Sequence, residues 1–125
     1  MNARLHKPKH ILVVDDEPLV GQSIQLLLED DCVIEYAQNA AEAIAMFKPG
    51  KFDIIFTDYI MPQIKGDKLA AAIKRSAPGQ PVVMITAFPE KLQSSACPLG
   101  GVDSFICKPF DAETLRNTIA RYTRE

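Results

Sequence analysis

The sequence predicts an α/β fold, a doubly wound sheet of five parallel strands with helices on both faces. Short apolar runs without polar alternation, such as residues 11–14 and 82–86, are typical of strands buried on both sides. Segments with helical apolar spacing lie between these runs, and parallel strands joined by single helices require right-handed crossovers. With 125 residues, of which 47% are hydrophobic, the chain can bury the core of one domain.

The first half of the chain predicts two strand and helix units. Residues 11–14 form the first strand, and Pro18 suits the first turn of a helix with apolar residues at helical spacing: Leu19, Val20, Ile24, Leu27 and Leu28. Residues 32–37 predict the second strand. Asn39 suits the N-cap of a second helix, which Pro49-Gly50 stops after the apolar residues Ala43, Ile44 and Phe47.

The second half predicts three more units. The third strand ends at Asp58, and a loop over residues 59–66 leads to a helix that ends before Pro78 and carries Leu69, Ala72 and Ile73. Residues 82–86 and 104–107 predict strands four and five. Residues 89–101 predict a short or frayed fourth helix, because prolines and glycines interrupt them. Asp111 suits the N-cap of helix five, whose apolar residues are Leu115, Ile119 and Tyr122.

Three carboxylates stand at the ends of two predicted strands. Asp15 and Asp16 close the first strand, and Asp58 closes the third. Ligands of open α/β sheets bind beyond the carboxyl ends of the strands, where neighbouring strands would bring these side chains together. Two charges about 4 Å apart repel by roughly 4 kcal/mol at an effective dielectric near 20, so the cluster needs a cation. Oxygen ligands favour Mg²⁺ or another hard ion, which predicts a metal and phosphoryl site.

Composition excludes several other classes of protein. The net charge of -2 and the pI of about 5.7 lack the basic signature of a protein that binds nucleic acid directly. The basic segment of residues 1–10 precedes only four apolar residues, too few for a signal peptide or a membrane span, so we expect a flexible tail over 1–9 and a cytoplasmic protein. His6 and His10 are expected to be exposed tail residues. Cys32, Cys97 and Cys107 lack CxxC spacing and predict buried free thiols.

Four short motifs stand in order at strand ends. They are Asp15-Asp16 after strand one, Asp58-Tyr59-Ile60-Met61-Pro62 with Gly66 after strand three, Thr86-Ala87 after strand four, and Lys108-Pro109-Phe110 after strand five. In this combination the chain resembles the receiver domain of two-component response regulators, from about residue 10 to residue 122. The resemblance implies a receiver domain over residues 10–125 with a flavodoxin-like (βα)5 fold and strand order 2-1-3-4-5.

The resemblance also implies a role for each acidic residue. Asp58 would be the phosphoacceptor, a carboxylate nucleophile that forms an aspartyl-phosphate. Asp16 and Asp58 would bind Mg²⁺ directly, Asp15 would act largely through metal-bound water, and the backbone carbonyl of Ile60 would supply another oxygen. The protein would then not be an enzyme. It would be a phosphoacceptor regulator that contributes catalysis to its own phosphorylation and dephosphorylation.

Further residues would contact the phosphoryl group and transmit its presence. Lys108 would bring a mobile charge and Thr86 a hydroxyl donor, with the N–H groups of Ile60 and Ala87 as further donors. The Lys108-Pro109 bond is cis in the family. Thr86 and Phe105 would form the switch, in addition to the role of Phe105 in the core.

The expected function is a phosphorylation-activated switch. A sensor histidine kinase or a histidine phosphotransfer protein would supply the phosphoryl group. A downstream target, or a second copy in a self-dimer, would bind the face made by helix four, strand five and helix five, without contact to nucleic acid or membrane. The apolar Ile60 and the large Phe88 suggest restricted access of water to the phosphoryl group, and Pro98 with Gly100-Gly101 suggests an irregular signalling face.

Three alternatives compete with this expectation. A phosphorylation-independent binding module of the same fold would not need the acidic pair, Thr86 and Lys108 that are present. A haloacid-dehalogenase type of hydrolase needs an aspartate two residues after its nucleophile, where this chain has Ile60. A nucleotide-binding protein would show a glycine-rich loop after the first strand, which is missing.

Overall fold

The computed structural model describes residues 8–87 and 102–123. Its strands are β1 (Lys9–Val14), β2 (Cys32–Ala37), β3 (Ile54–Asp58), β4 (Val82–Thr86) and β5 (Ser104–Cys107). Its helices are α1 (Pro18–Leu28), α2 (Ala40–Met46), α3 (Gly66–Ser76) and the C-terminal helix (Ala112–Tyr122). All strands pair in parallel in the order β2-β1-β3-β4-β5, which confirms the predicted fold class and strand order.

Alternating strand residues divide the core into two apolar layers. Ile11 and Val13 of β1 belong to the layer under α1 and the C-terminal helix. Leu12 and Val14 belong to the opposite layer, under α2 and α3. Both faces of the sheet are therefore buried, which is why the strands read as unbroken apolar runs.

Two helices begin at the caps that the sequence predicts. The Asn39 side chain accepts a hydrogen bond from the N–H of Glu42 at 2.8 Å, and the Asp111 side chain accepts one from the N–H of Thr114 at 2.8 Å. Both bonds satisfy backbone donors that the first helical turn leaves free. The Glu42 carboxylate also accepts from the N–H of Gln38 at 2.9 Å, which closes the start of α2.

Part of the predicted apolar helix surface is exposed. Leu19 of α1 has 68% of its surface exposed and Ile44 of α2 has 48%, although both belong to the apolar spacing that predicts these helices. Helix α1 buries the stripe of Ile24 and Leu28 instead, and Leu19 in its first turn lies outside that stripe. Helix α2 ends at Met46, one residue before the predicted Phe47.

His10 is not a tail residue. It is the second residue of β1 and half-buried, and its Nε2 atom lies 2.6 Å from a carboxylate oxygen of Glu35 on β2. Its ring also packs edge-on against Phe52 with the ring centres 5.0 Å apart. The predicted tail over residues 1–9 is too long by one residue, because Lys9 begins β1, while residues 1–7, with His6, lie outside the described residues.

The cysteines are less buried than expected. Cys32 and Cys107 are free thiols as predicted, but Cys32 is half-buried and Cys107 is exposed at the end of β5. Cys97, Phe88, Pro98, Gly100 and Gly101 lie outside the described residues, as does the predicted fourth helix. Of the helices in residues 8–87 and 102–123, none has the length and apolarity that crossing a bilayer requires.

Candidate functional site

The carboxyl ends of β1 and β3 bring the three predicted aspartates together. Val14 pairs with Thr57, so Asp15 follows β1 beside Asp58, the last residue of β3. One carboxylate oxygen from each of Asp15, Asp16 and Asp58 lies within 4.8 Å of the other two. Unit charges at that distance repel by about 3.5 kcal/mol per pair at a dielectric near 20. Three oxygen ligands in this arrangement fit a hard divalent cation.

Lys108 supplies the positive charge at the site. Its Nζ atom lies 3.3 Å from Asp15 Oδ2 and 3.6 Å from Asp58 Oδ1. The N–H of Lys108 donates to the carbonyl of Thr86 at 2.8 Å, which fixes the backbone just after β5. The Lys108-Pro109 bond is cis, as the resemblance implied. From its position just after β5, Lys108 therefore contacts two of the three carboxylates.

Burial and crowding change the acidity of two carboxyls. Burial, and then the charge of Asp15, raise the pKa of Asp58 to about 6, and Lys108 limits this increase. Burial also raises the pKa of Asp15, although the N–H of Glu17 and Lys108 stabilise its charged form. Asp15 has 1% of its surface exposed, whereas Asp16 is exposed. The geometry thus separates an open ligand position at Asp16 from an enclosed one at Asp15.

Thr86 and Phe105 lie on the same face of the sheet. Thr86 pairs with Cys107 and Met84 pairs with Phe105, so both predicted switch residues project away from the layer that holds Ile85 and Ile106. Thr86 is buried at the end of β4, and Phe105 is half-buried on β5. They are diagonal neighbours, a distance that a large side chain can bridge.

The remaining predicted residues, Ile60 and Ala87, follow β3 and β4 respectively. Ile60 lies two residues beyond Asp58 and has 40% of its surface exposed, and Ala87 is also exposed. All seven predicted residues of the metal and phosphoryl site therefore stand at the carboxyl edge of the sheet.

Tyr36 supports the site, although its sequence position gave no sign of this. Its hydroxyl donates a hydrogen bond to the backbone carbonyl of Asp15. The ring lies over Gly21 of α1, where an added Cβ would approach the ring carbon Cδ1 to 2.5 Å. Only the register of β1 with β2, which pairs Val13 with Tyr36, could have indicated that Tyr36 reaches the loop after β1.

Gly66 allows the loop after β3 to pack against the acceptor strand. A Cβ at this position would collide with the backbone carbonyl oxygen of Asp58. The N–H of Gly66 donates to the carbonyl of Tyr59 at 2.9 Å, which closes the loop at the start of α3. A glycine is required here because two stretches of backbone approach each other closely.

The sequence matches one family model and several proteins named as members of that family. Residues 11–120 match the family model described as response regulator receiver domain. Chemotaxis protein CheY-3 of Vibrio cholerae is 34% identical over 123 residues, covering 95% of each chain. The transcriptional regulatory protein GlrR of Escherichia coli is 33% identical over 115 residues, which are 91% of this chain and 26% of GlrR. The chain thus spans about a quarter of the length of GlrR and of QseF.

Solved structures agree with these sequence matches. A response regulator receiver domain protein from Clostridium thermocellum superimposes with a TM-score of 0.82 at 27% identity, covering 92% of this chain and 94% of that one. The response regulator TrrA of Thermotoga maritima, solved in complex with Mg²⁺-BeF, superimposes with a TM-score of 0.80 at 28% identity, covering 91% and 98%.

Proposed function

The chain belongs to the response-regulator receiver domain family, and on this premise we propose that it is a phosphorylation-activated switch with Asp58 as the phosphoacceptor. One observation carries the assignment. The carboxylate of Asp58 lies at the carboxyl end of β3, with two further carboxylates within 4.8 Å and the Lys108 ammonium 3.6 Å away. The Asp58 carboxylate therefore has beside it both the carboxylates that would hold a cation and the ammonium that would bind a phosphoryl oxygen.

The reaction requires an ionised Asp58. A carboxylate oxygen of Asp58 attacks phosphorus, the bond from phosphorus to the donor breaks, and the donor leaves with the electron pair. The product is an acyl phosphate on Asp58. With a pKa of about 6 in the metal-free site, the carboxyl is mostly ionised at neutral pH, and a bound cation would favour the ionised form further.

Mg²⁺ is the cation that the oxygen ligands favour. Asp16 and Asp58 would bind it directly, the backbone carbonyl of Ile60 would add a ligand, and the enclosed Asp15 would act through water. When bound, the ion neutralises the carboxylates and the charge that develops on the phosphoryl oxygens. The TrrA structure in complex with Mg²⁺-BeF supports this choice of metal.

Donors on three sides would hold the phosphoryl oxygens. Lys108 already lies between Asp15 and Asp58, so a small movement of its ammonium would reach an oxygen on Asp58. The Thr86 hydroxyl and the N–H groups of Ile60 and Ala87 would complete the set. A phosphoryl group carries about -1.5 to -2 charges near neutral pH, which gives each donor a strong acceptor.

The output would follow from movement of Thr86 toward the phosphoryl group. Because Thr86 and Phe105 are diagonal neighbours on one sheet face, the space that Thr86 leaves becomes available to the Phe105 ring. The outer face that includes β5 and the C-terminal helix then changes shape. We infer that a downstream target, or a second copy of the chain, binds this face in the phosphorylated state.

The biological setting is a two-component system. A sensor histidine kinase or a histidine phosphotransfer protein would be the donor, and residues 10–125 would act as one receiver domain. The protein would regulate by binding and contribute catalysis only to its own phosphorylation and dephosphorylation. A cytoplasmic location and the lack of direct nucleic-acid contact stay predictions.

Intact-mass measurement tests the proposal. The wild type is incubated with a small phosphodonor, with Mg²⁺ and with a chelator in parallel. We expect a gain of one phosphoryl mass only with Mg²⁺, and none for Asp58→Asn. Asp53→Asn, just before the start of the same strand, is the matched control and should be labelled normally. Equal labelling of Asp58→Asn would reject the acceptor, and no labelling of the wild type would favour a phosphorylation-independent binding module.

A further inference from the structure

A groove between α2 and α3 combines exposed apolar side chains with a basic border. Its volume is about 530 Å³, and its lining includes none of Asp15, Asp16 and Asp58. Ile44 has 48% of its surface exposed and Ile64 has 38%. One side of the groove is lined at helical spacing along α3 by three basic residues and one alanine: Lys65, Lys68, Ala72 and Arg75.

The cations of this groove have no salt-bridge partner in the part of the chain that the structure describes. Within residues 8–87 and 102–123, no ion pair includes Lys65, Lys68 or Arg75. Asp67 is the acidic residue in the lining, and one of its carboxylate oxygens accepts from the N–H of Lys68 at 2.9 Å. The groove therefore presents net positive charge around two exposed isoleucines. Its complement is an apolar surface with acidic residues beside it.

The outer surface of α1 has this complementary chemistry. Leu19 and Leu26 have 68% and 70% of their surfaces exposed, and their spacing of two helical turns places them on one side. Glu29 and Asp30 are exposed three and four residues after Leu26, and α1 itself contains no basic residue. Arg116 of the C-terminal helix lies at this end but is paired with Asp31. From Leu19 to Asp30 the stretch is about 16 Å long, close to the about 15 Å from Lys65 to Arg75.

The two surfaces lie on opposite faces of the sheet. Helix α1 covers the layer that contains Ile24 and Leu28, whereas α2 and α3 cover the layer that contains Ala43 and Leu69. One copy of the chain can therefore bind two other copies at once, one through each surface. We propose that the groove between α2 and α3 binds α1 of a second copy, which gives a weak head-to-tail association.

This arrangement has two consequences. A head-to-tail interface between two different surfaces gives open chains or, where the rotation between copies closes, rings of three or more copies, so species larger than a dimer form as concentration rises. Leu19 and Leu26 also line a recess that contains Lys108, so the docked copy partly covers this approach to the acceptor site. The association itself depends only on the two surfaces and would persist even if Asp58 were not phosphorylated.

Charge exchange between the two surfaces provides the test. Sedimentation velocity is measured from low micromolar to about 1 mM protein, the range in which weak association appears. The wild type should sediment faster as concentration rises, past the dimer. Lys65→Glu/Lys68→Glu makes both surfaces acidic, and Glu29→Lys/Asp30→Lys makes both basic, so each variant alone should associate at least tenfold more weakly. An equimolar mixture should regain the wild-type behaviour, because opposite charges face each other again.

Lys48→Glu/Arg121→Glu is the matched control. It changes the net charge by the same amount as Lys65→Glu/Lys68→Glu, but at exposed positions that do not line the groove. This control should associate like the wild type. A wild type that stays monomeric at about 1 mM overturns the proposal. A plateau at the dimer overturns the head-to-tail arrangement, and a mixture that stays monomeric overturns the pairing of α1 with the groove.

Discussion

Replacing Asp58 with asparagine should stabilise the metal-free protein. The wild-type site holds an ionised carboxylate that is 9% exposed, with oxygens of Asp15 and Asp16 within 4.8 Å. Asparagine has nearly the same shape and carries no charge, so it removes the repulsion and keeps the packing at the end of β3. Loss of the contact with Lys108 reduces the gain but does not reverse it, since the pKa of Asp58 is raised with that lysine in place.

The magnitude follows from the raised pKa. The carboxyl titrates at about 6 in the folded protein against the usual 3.8, a difference of about two units. Each unit corresponds to about 1.4 kcal/mol, so the ionised group lowers the free energy of unfolding by up to about 3 kcal/mol. Between the two pKa values the folded state binds more protons than the unfolded state, so stability falls as pH rises. The loss of unfolding free energy caused by the ionised Asp58 is absent below about pH 4 and reaches its full size above about pH 6.5.

Urea unfolding in the presence of a chelator measures this effect. At about pH 7.5 Asp58→Asn should exceed the wild type by about 1–3 kcal/mol, and near pH 4 the two should be equal. Mg²⁺ at about 100 times its Kd should then add about 2.7 kcal/mol to the wild type and far less to the variant. Asp30→Asn, a change at an exposed position, should stay within about 0.5 kcal/mol. If the variant were equal to or less stable than the wild type at the higher pH, the description of a strained carboxylate cluster would be incorrect.

Three further changes test the assigned roles. Asp15→Ala should weaken Mg²⁺ binding by about 10- to 100-fold, as expected for a group that acts through water, and Asp16→Ala should weaken it more; a metal titration with the opposite order would exchange the two roles. Tyr36→Phe should cost about 1 kcal/mol in urea unfolding by removing the bond to the Asp15 carbonyl, and an unchanged stability would remove Tyr36 from the support of the site. Ile60→Asn should shorten the lifetime of the phosphorylated protein by admitting water, and an unchanged decay rate would leave that role without support.

The strands and caps were predictable because their causes are local. The β3 and β4 runs are buried on both faces, which favours the apolar residues at 54–56 and 82–85 and leaves polar residues only toward the carboxyl ends. Asn39 and Asp111 are identifiable as caps because a short polar side chain before an apolar helical segment satisfies free backbone donors. The order of the strands came from the resemblance alone, since apolar spacing does not indicate which strands are neighbours.

The errors concern contacts between distant parts of the chain. Leu19 fits the helical spacing of α1 and is nevertheless exposed, because the sheet covers only the stripe of Ile24 and Leu28. His10 precedes the apolar run and belongs to β1 because its backbone pairs in register with Val33 of β2, and its ring contacts Glu35 of the same strand. Tyr36 reaches Asp15 through strand register, which no local pattern encodes.

Identification of the labelled carboxylate tests the central assignment most directly. The protein is phosphorylated with a small donor and Mg²⁺, reduced with borohydride to convert the acyl phosphate to a stable alcohol, and digested for mass spectrometry. The conversion should occur at Asp58, with Asp15 and Asp16 unmodified in the same sample. Conversion at Asp15 or Asp16 with Asp58 intact would contradict the assignment of Asp58 as the phosphoacceptor.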